Sequence, residues 1–161
     1  MSRVALHFEL SVEIARDAAD VFAFLRDKHL YPQPPGSPVL ALDKTTDGPV
    51  GPGTRYREVV RMLPFVRGEI LSEVTRFEPP HRLEERFAGA SMRGYLVYEL
   101  VTVGGGTLLV QREELQPLGA LRLLAGPMRR MLAARLHSRL DSIKSDLEGG
   151  WQVDTRVPGG R

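Results

Sequence analysis

The sequence contains no cysteine, and its histidines form no recognisable metal-binding pattern. Without cysteine, disulfide bonds, thiol nucleophiles and thiolate metal sites are excluded throughout the 161 residues. The four histidines (His7, His29, His81 and His137) show neither H-x-x-x-H nor H-E-x-x-H spacing. We therefore expect no metal site. No cofactor is expected either, since the glycine-rich residues 48–53 (GPVGPG) lack the Lys-Ser/Thr of a phosphate-binding loop and precede a strand.

The chain also lacks a strong net charge and a long apolar run. Its 22 basic residues nearly balance 20 acidic ones, and the net charge of +2 is too small to indicate a nucleic-acid-binding protein. Lysine is scarce, being present only as Lys28, Lys44 and Lys144. No apolar run approaches the roughly 20 residues that span a bilayer, and the N-terminus alternates rather than forming a signal peptide. We predict a cytoplasmic protein with no nucleic-acid partner and no stable membrane insertion.

The N-terminal segment shows the period-two alternation of a half-buried strand. Its apolar residues occupy every second position from Val4 to Ile14. Asp17 is suited to cap a short helix that ends near Asp27, and Asp20 lies in its first turn, where a carboxylate favours the helix dipole. Residues 27–38 are rich in proline, which predicts a loop.

Six further strands are predicted, separated by short turns. Pro79 and Pro80 cannot donate to a strand ladder, so the chain turns there, and Gly104 to Gly106 predict a flexible hairpin turn. Consecutive strands joined in this way form an antiparallel meander. The predicted ranges are 39–47, 54–62, 66–77, 83–87, 92–103 and 107–115.

From about Leu118 the apolar period changes to threes and fours, which predicts one long amphipathic helix. Gly126-Pro127 would delay its start or kink it, and Gly149-Gly150 would end it. Residues 1–148 are thus predicted to be one ligand-binding domain, and residues 149–161 a flexible tail. The apolar stripe comprises Leu121, Leu124, Met128, Leu132, Leu136, Leu140, Ile143 and Leu147.

These elements predict an α+β fold. A curved antiparallel sheet of about seven strands would wrap on the C-terminal helix, with a short helix after the first strand. One helix is narrower than the concave side of such a sheet. We therefore expect a space between the sheet and the helix.

Several segments match a known superfamily over nearly the whole chain, up to about Glu148. They are residues 14–27 (IARDAADVFAFLRD), 47–58 (DGPVGPGTRYRE), 73–87 (EVTRFEPPHRLEERF), 98–100 (YEL), 104–107 (GGGT) and the closing helix. This pattern resembles the START/Bet v1-like (SRPBCC, helix-grip) superfamily, and within it the bacterial polyketide cyclase/dehydrase and lipid-transport-type proteins. The resemblance implies the helix-grip fold and a small hydrophobic ligand of lipid, polyketide or aromatic type.

One departure from the pattern lies after the first helix. Relatives often carry an aromatic residue, commonly Trp, next to the Tyr-Pro. Here Tyr31-Pro32 is followed by Gln33, Pro34 and Pro35. The entrance to a cavity would then differ in shape, and the ligand's identity is not carried over.

Strand alternation assigns a set of candidate ligand-binding residues to the face that meets the helix. Most of that face is apolar, which suits a hydrophobic ligand held by a few polar groups. A single bulge would move later residues to the other face. The candidates are Tyr56, Glu58, Glu85, Leu96, Tyr98, Leu109, Gln111 and Glu113 on the sheet, and Met128, Leu132, Arg135 and Arg139 on the helix.

Each polar candidate has a structural alternative. The three glutamates act as general acids or bases if burial raises their pKa values, or else they pair with arginines. The two tyrosines hydrogen-bond a ligand or simply pack. Arg135 and Arg139 bind an acidic head group, or their stems lie along the edge of the core. The arginines available for pairing are Arg55, Arg57, Arg86 and Arg112.

Three functions remain open from the sequence. The first is binding or transport of a small hydrophobic molecule, by a monomer or a homodimer. The second is a cyclase/dehydratase-like lyase with Glu58 or Glu113 as the catalytic residue, for which fold resemblance alone is weak support. The third is a protein-interaction module. No catalytic constellation is recognisable in the residues, so binding is the favoured prediction.

Overall fold

The predicted helix-grip fold is confirmed by a computed structural model, which describes residues 3–150. Seven antiparallel strands form one sheet in the order β1-β7-β6-β5-β4-β3-β2. The strands are β1 (Leu6–Ile14), β2 (Val39–Lys44), β3 (Arg55–Leu63), β4 (Val66–Glu78), β5 (Arg82–Gly89), β6 (Met92–Val103) and β7 (Gly106–Pro117). The helices are α1 (Ala18–Arg26) and α2 (Ala125–Glu148), with short 3-10 helices at Lys28–Leu30 and Gly119–Leu124.

The sheet is an antiparallel meander of β2 to β7, and β1 adds to its β7 edge. Strands β2 to β7 pair in sequence, and β1 pairs with β7 from Leu6↔Leu115 to Ile14↔Thr107. The turn at Pro79-Pro80 joins β4 to β5, with Glu78 opposite Arg82. Because side chains alternate along each strand, this register fixes which residues face α2.

The predicted face assignments are confirmed by the register and the burial of the strands. Leu10 on β1, Gln111 on β7 and Tyr98 on β6 are neighbours on the inner face, and all three are buried. The bulges in the sheet lie between Val39 and Ala41, between Arg61 and Leu63, and between Val74 and Arg76. None falls within the stretches of β3, β5, β6 and β7 that carry the candidate residues.

Helix α1 begins and ends as its sequence predicts. The Asp17 carboxylate accepts a hydrogen bond of 2.9 Å from the backbone N–H of Asp20 and so caps the helix. Asp27 follows the last helical residue. Its apolar side, Val21, Phe22 and Leu25, is buried in the core.

The start of α2 corrects one prediction. The segment from about Leu118 is not continuous α-helix, because a 3-10 helix occupies Gly119–Leu124 and α2 begins at Ala125. Pro127 then falls in the first helical turn, where a missing N–H removes no intrahelical bond. Leu124 is consequently half exposed rather than part of the packed stripe.

The second half of α2 is fixed to β1. Leu136, Leu140, Ile143 and Leu147 are buried in the core. The Lys144 ammonium donates 2.6 Å to the carbonyl of Glu13, and the Glu148 carboxylate accepts 2.9 Å from the N–H of Ala15. The helix packs chiefly on β1. Its first half therefore faces the remaining strands across an inner space.

Candidate functional site

The inner face of the sheet brings four predicted polar residues close together. Leu96 on β6 separates Glu85 on β5 from Glu113 on β7. Tyr98 lies two residues further along β6, opposite Gln111. Alternation alone places these side chains on one face, and the antiparallel register places them side by side.

Lys28 joins this cluster and was not predicted from the sequence. Its ammonium lies 2.8 and 2.6 Å from the two carboxylate oxygens of Glu85 and 3.8 Å from Glu58. The same ammonium lies 4.5 Å from the centroid of the Tyr56 ring, in cation–π geometry. The Lys28 side chain is 13% exposed and that of Glu85 is 5% exposed. The proline-rich loop thus begins with an interior ion pair to the sheet.

Arg139 brings a second positive charge to the cluster from α2. The Tyr98 phenol raises the pKa of its guanidinium, opposed by burial, and Glu58, Glu113 and Glu85 raise it further. All four of these groups belong to the inner face. Arg139 nevertheless forms no ion pair with any residue in the range 3–150. It is a cation surrounded by interior groups and without a bonded counterion there.

Arg139 also shows that the inner space is open. As a residue Arg139 is exposed, although its charged end is partly desolvated and the groups around it lie between the helix and the sheet. Glu58 and Glu113, which face the same region, are only partly buried. Exposed polar side chains on an inner face require a gap that admits water. Glu58, Glu113 and Arg139 therefore lie beside an accessible space. The other polar candidates of the sheet are buried next to them: Tyr56, Glu85, Tyr98 and Gln111.

Burial changes the proton affinity of three groups in the cluster. It raises the pKa of the Glu113 carboxyl, against the opposing effects of Arg139 and of a 3.1 Å hydrogen bond donated by Gln111. Burial also raises the pKa of Tyr98 to about 12 and that of Tyr56 above its ordinary value. Glu113 thus holds a proton more readily than an ordinary glutamate, and both tyrosines stay neutral at physiological pH.

Two polar atoms of the cluster are buried without a bonding partner. The Tyr98 hydroxyl and the Gln111 side-chain oxygen form no hydrogen bond with any described residue. Tyr98 is 2% exposed and Gln111 is completely buried. Buried polar groups are normally satisfied, so each of these two atoms keeps the capacity for a further hydrogen bond.

His29 lies at the margin of the cluster rather than in solvent. Its ring centroid is 5.8 Å from that of Tyr56, and its Nδ1 is buried. Burial lowers the pKa of His29, opposed by Asp27 and reinforced by Lys44 and Lys28. The proline-rich loop therefore brings His29 beside Tyr56.

The predicted arginine partners of the glutamates are wrong. Arg55 pairs with Glu73, Arg57 with Glu69, and Arg112 with Glu9 and Glu99. Adjacent strand residues point to opposite faces, so these arginines lie outside while Glu58, Glu85 and Glu113 lie inside. Arg86 likewise lies nearest to Glu73 on the outer face.

The apolar candidates divide between the inner space and the packed core. Met128 and Leu132 lie on the first half of α2, and Arg135 is partly buried one turn before Arg139. Leu96 is buried between Glu85 and Glu113. Leu109 is completely buried between Val12 and Leu100 and so has no surface towards the space.

A second concavity lies on the outer face of the sheet but lacks these features. It measures about 640 Å³ and is lined by outward side chains that include Leu71, Arg55 and Tyr95. Its polar groups bond to one another, as in Arg55 with Glu73 and Tyr95 with Glu114. We therefore assign the candidate site to the inner face.

Comparison with known proteins agrees with the geometry. Residues 5–148 match a family described as polyketide cyclase/dehydrase and lipid transport. The chain belongs to that family. A comparison with curated proteins found no match.

Solved structures of other proteins share this fold. An aromatase/cyclase, Zhui, from Streptomyces sp. R1128 is 17% identical with a TM-score of 0.71, covering 96% of this chain and 100% of that one. Norcoclaurine synthase from Thalictrum flavum is 18% identical with a TM-score of 0.68, covering 91% and 96%. A START superfamily protein from Mycobacterium smegmatis is 18% identical with a TM-score of 0.62, covering 86% and 99%. At these identities the likeness shows the fold.

Other predictions about this family member are untested. Within residues 3–150 no helix is long and apolar enough to cross a membrane, and no group of three potential ligands could hold a metal ion. The absence of a cofactor, the cytoplasmic location and the oligomeric state stay predictions. Most of the predicted tail, residues 151–161, lies outside the described residues.

Proposed function

We propose that this protein binds a small, mainly apolar molecule whose polar end carries oxygen. The apolar part would lie against Met128, Leu132 and the inner face of the sheet. The polar end would lie near Arg139. The observation that supports this proposal is the guanidinium of Arg139, which lies among Tyr98, Glu58, Glu113 and Glu85 and forms no ion pair with a described residue.

The chemistry of the cluster favours an oxygen acceptor as the polar end. Arg139 presents a fixed fork of N–H donors, which suits carboxylate and similar oxygen groups. The Tyr98 hydroxyl is a donor without a partner among the described residues. Glu113, whose pKa burial raises, adds an O–H donor when it is protonated. A carboxylate, enolate or carbonyl would satisfy these groups together.

A pair of fluorescent probes tests this proposal. The aromatic anion 8-anilinonaphthalene-1-sulfonate and the neutral N-phenyl-1-naphthylamine have similar apolar bodies but differ in charge. We expect both to bind. Arg139→Met should weaken the anion about tenfold or more, the range of a hydrogen bond to a charged group, and leave the neutral probe unchanged.

Arg76→Met is the matched control, because Arg76 is exposed on the outer face of the sheet and the change in charge is identical. It should alter neither affinity. If neither probe binds the native protein, or if both arginine variants lose the anion equally, the proposed site is wrong. Native mass spectrometry followed by organic extraction would then identify the chemical class of any molecule that copurifies.

A second candidate function is proton transfer to a bound substrate, favoured by the raised pKa of Glu113 beside the neutral Tyr98. A carboxyl group with a raised pKa keeps its proton to a higher pH than an ordinary glutamate, which suits a general acid. Within the family, this would be a cyclase- or dehydratase-like reaction. If an extracted molecule is turned over at the native rate by both Glu58→Gln and Glu113→Gln, the catalytic assignment fails.

A further inference from the structure

One end of the molecule is built without acidic residues. The antiparallel register brings together the turn after β3, the turn after β5, the end of β7 and the start of β2. Hydrogen bonds connect these pieces: Leu118 N–H donates 2.8 Å to the carbonyl of Ser91, and Arg61 N–H donates 2.7 Å to that of Pro38. The segments that form this end, residues 31–40, 61–67, 88–94 and 116–131, contain no aspartate or glutamate.

The same end carries exposed arginines. Arg61 and Arg67 flank the turn between β3 and β4, and Arg129 and Arg130 lie in the first turns of α2. All four are exposed, and none forms an ion pair with a residue in the described part of the chain. Elsewhere the surface charges are interleaved, as in the Arg57–Glu69 and Arg112–Glu9 pairs. The positive charge at this end is therefore not neutralised locally.

Two large apolar side chains project from this basic end. Phe65, at the β3–β4 turn, is 100% exposed, and Leu123, just before α2, is 88% exposed. Val66, Leu124 and Met131 add smaller exposed surfaces beside them. We call Phe65, Leu123, Arg61, Arg67, Arg129 and Arg130 the mouth surface, since it lies at the end where the first half of α2 leaves the sheet.

We propose that the mouth surface docks reversibly on a bilayer that contains anionic lipids. Arginines around protruding apolar side chains complement lipid phosphates around an apolar interior. Fully exposed tips such as Phe65 suit a fluid apolar phase, whereas a folded partner would need a matching pocket for each. A second copy of the chain is disfavoured, because two acid-free basic surfaces repel each other.

The charge on the mouth surface sets the expected strength of docking. Each arginine near an anionic membrane surface increases partitioning about fivefold. Reversing Arg129 and Arg130 should therefore reduce partitioning by about 25-fold or more. Replacing Phe65 and Leu123 by serine should reduce it about tenfold or more through lost burial of apolar surface. High salt should weaken docking, because exposed charges are screened.

Vesicle cosedimentation of the full chain tests the proposal. The vesicles are phosphatidylcholine alone, or phosphatidylcholine with about a third phosphatidylglycerol. The variants are Arg129→Glu/Arg130→Glu and Phe65→Ser/Leu123→Ser. The control is Arg55→Glu/Arg76→Glu, an equal charge change away from the mouth surface in exposed ion pairs that contribute little to stability.

We expect salt-sensitive sedimentation with the anionic vesicles only, lost in both mouth variants and retained in the control. Absence of sedimentation, or equal loss in the control, would overturn membrane docking. Capture of an acidic protein by the mouth surface without vesicle binding would also overturn it and assign the surface to a protein partner. The fluorescent probes report on the inner space independently, so vesicle binding and ligand binding can fail separately.

Discussion

The Lys28–Glu85 pair offers a direct test of how the interior is built. Lys28→Met would leave the Glu85 carboxylate, whose side chain is 5% exposed, without its two hydrogen bonds of 2.8 and 2.6 Å. Removing one member of a buried pair costs about 3–5 kcal/mol, because an uncompensated charge remains inside. Water in the inner space would reduce this penalty. We therefore expect a loss of about 3 kcal/mol in the free energy of unfolding.

The assay is urea denaturation at pH 7, followed by far-UV circular dichroism. Arg57→Ala is the matched control: Arg57 and Glu69 also approach to 2.6 Å, but their side chains are 45% and 49% exposed. An exposed pair contributes only about 0–1 kcal/mol, so this control should change stability little. Because the Lys28–Glu85 and Arg57–Glu69 pairs have the same distance but differ in burial, the comparison isolates the effect of burial on the free energy of unfolding.

The double variant Lys28→Met/Glu85→Met completes the test. If burial of an unpaired charge is the cause, removing the second charge should recover most of the loss, since apolar replacements of buried pairs are often neutral or stabilising. If Lys28→Met costs no more than Arg57→Ala, the pair is solvated. If the double variant is no more stable than the single one, the loss comes from packing of the lysine stem. Either result would refute the reasoning.

Two further predictions concern the same sheet. Glu113→Gln should raise the free energy of unfolding at pH 7. The pKa of Glu113 is raised in the folded protein, so stability falls as the pH rises from the ordinary glutamate pKa of 4.5 through the folded-state pKa. Thermal melts should therefore show a gain of a few degrees at pH 7 that disappears near pH 4. Gly94→Ala should lower the free energy of unfolding by about 1–3 kcal/mol, because a Cβ there would lie 1.9 Å from the Glu114 carbonyl oxygen. Gly105→Ala is the control, since a Cβ there would have no atom within 4 Å, and its urea denaturation should change little. Equal effects of the two variants would contradict this account of the packing.

The fold could be predicted because each of its elements carries a local signal. Alternation along β1, the N-cap at Asp17 and the prolines at Pro79 and Pro80 act over a few residues each. The ends of β6 were predicted without error, from Met92 to Val103. The start of α2 was not, because the apolar spacing continues through the 3-10 helix and hides the change at Ala125.

The sequence predicted which polar residues share the inner face of the sheet, but it did not predict their bonding partners. Alternation places Glu85 and Glu113 inside, whereas their partners depend on segments distant in the sequence. Lys28 and Glu85 are 57 residues apart, and Lys28 lies in a segment that predicts only a loop. No local pattern distinguishes Lys28 from a surface lysine. That only three lysines occur in the chain was the one signal that could have drawn attention to it.

Helix α2 extends from the inner site to the mouth surface, and only its second half is bonded to β1. Lys144 and Glu148 bond the end of the helix to β1, and Leu140 and Leu147 bury it. From Arg139 towards the N-terminus of α2, the helix faces the inner space and then reaches Arg129, with the exposed Leu123 just before its first residue. The first half of α2 buries Met128 but, among the described residues, forms no hydrogen bond or ion pair with the sheet, so it is less constrained than the second half. If the mouth surface docks on a bilayer and the inner face binds a ligand, a molecule leaving the bilayer would meet the less constrained half of α2 first. It would then meet Arg139, so entry of the molecule and recognition of its polar end would follow one path along the helix.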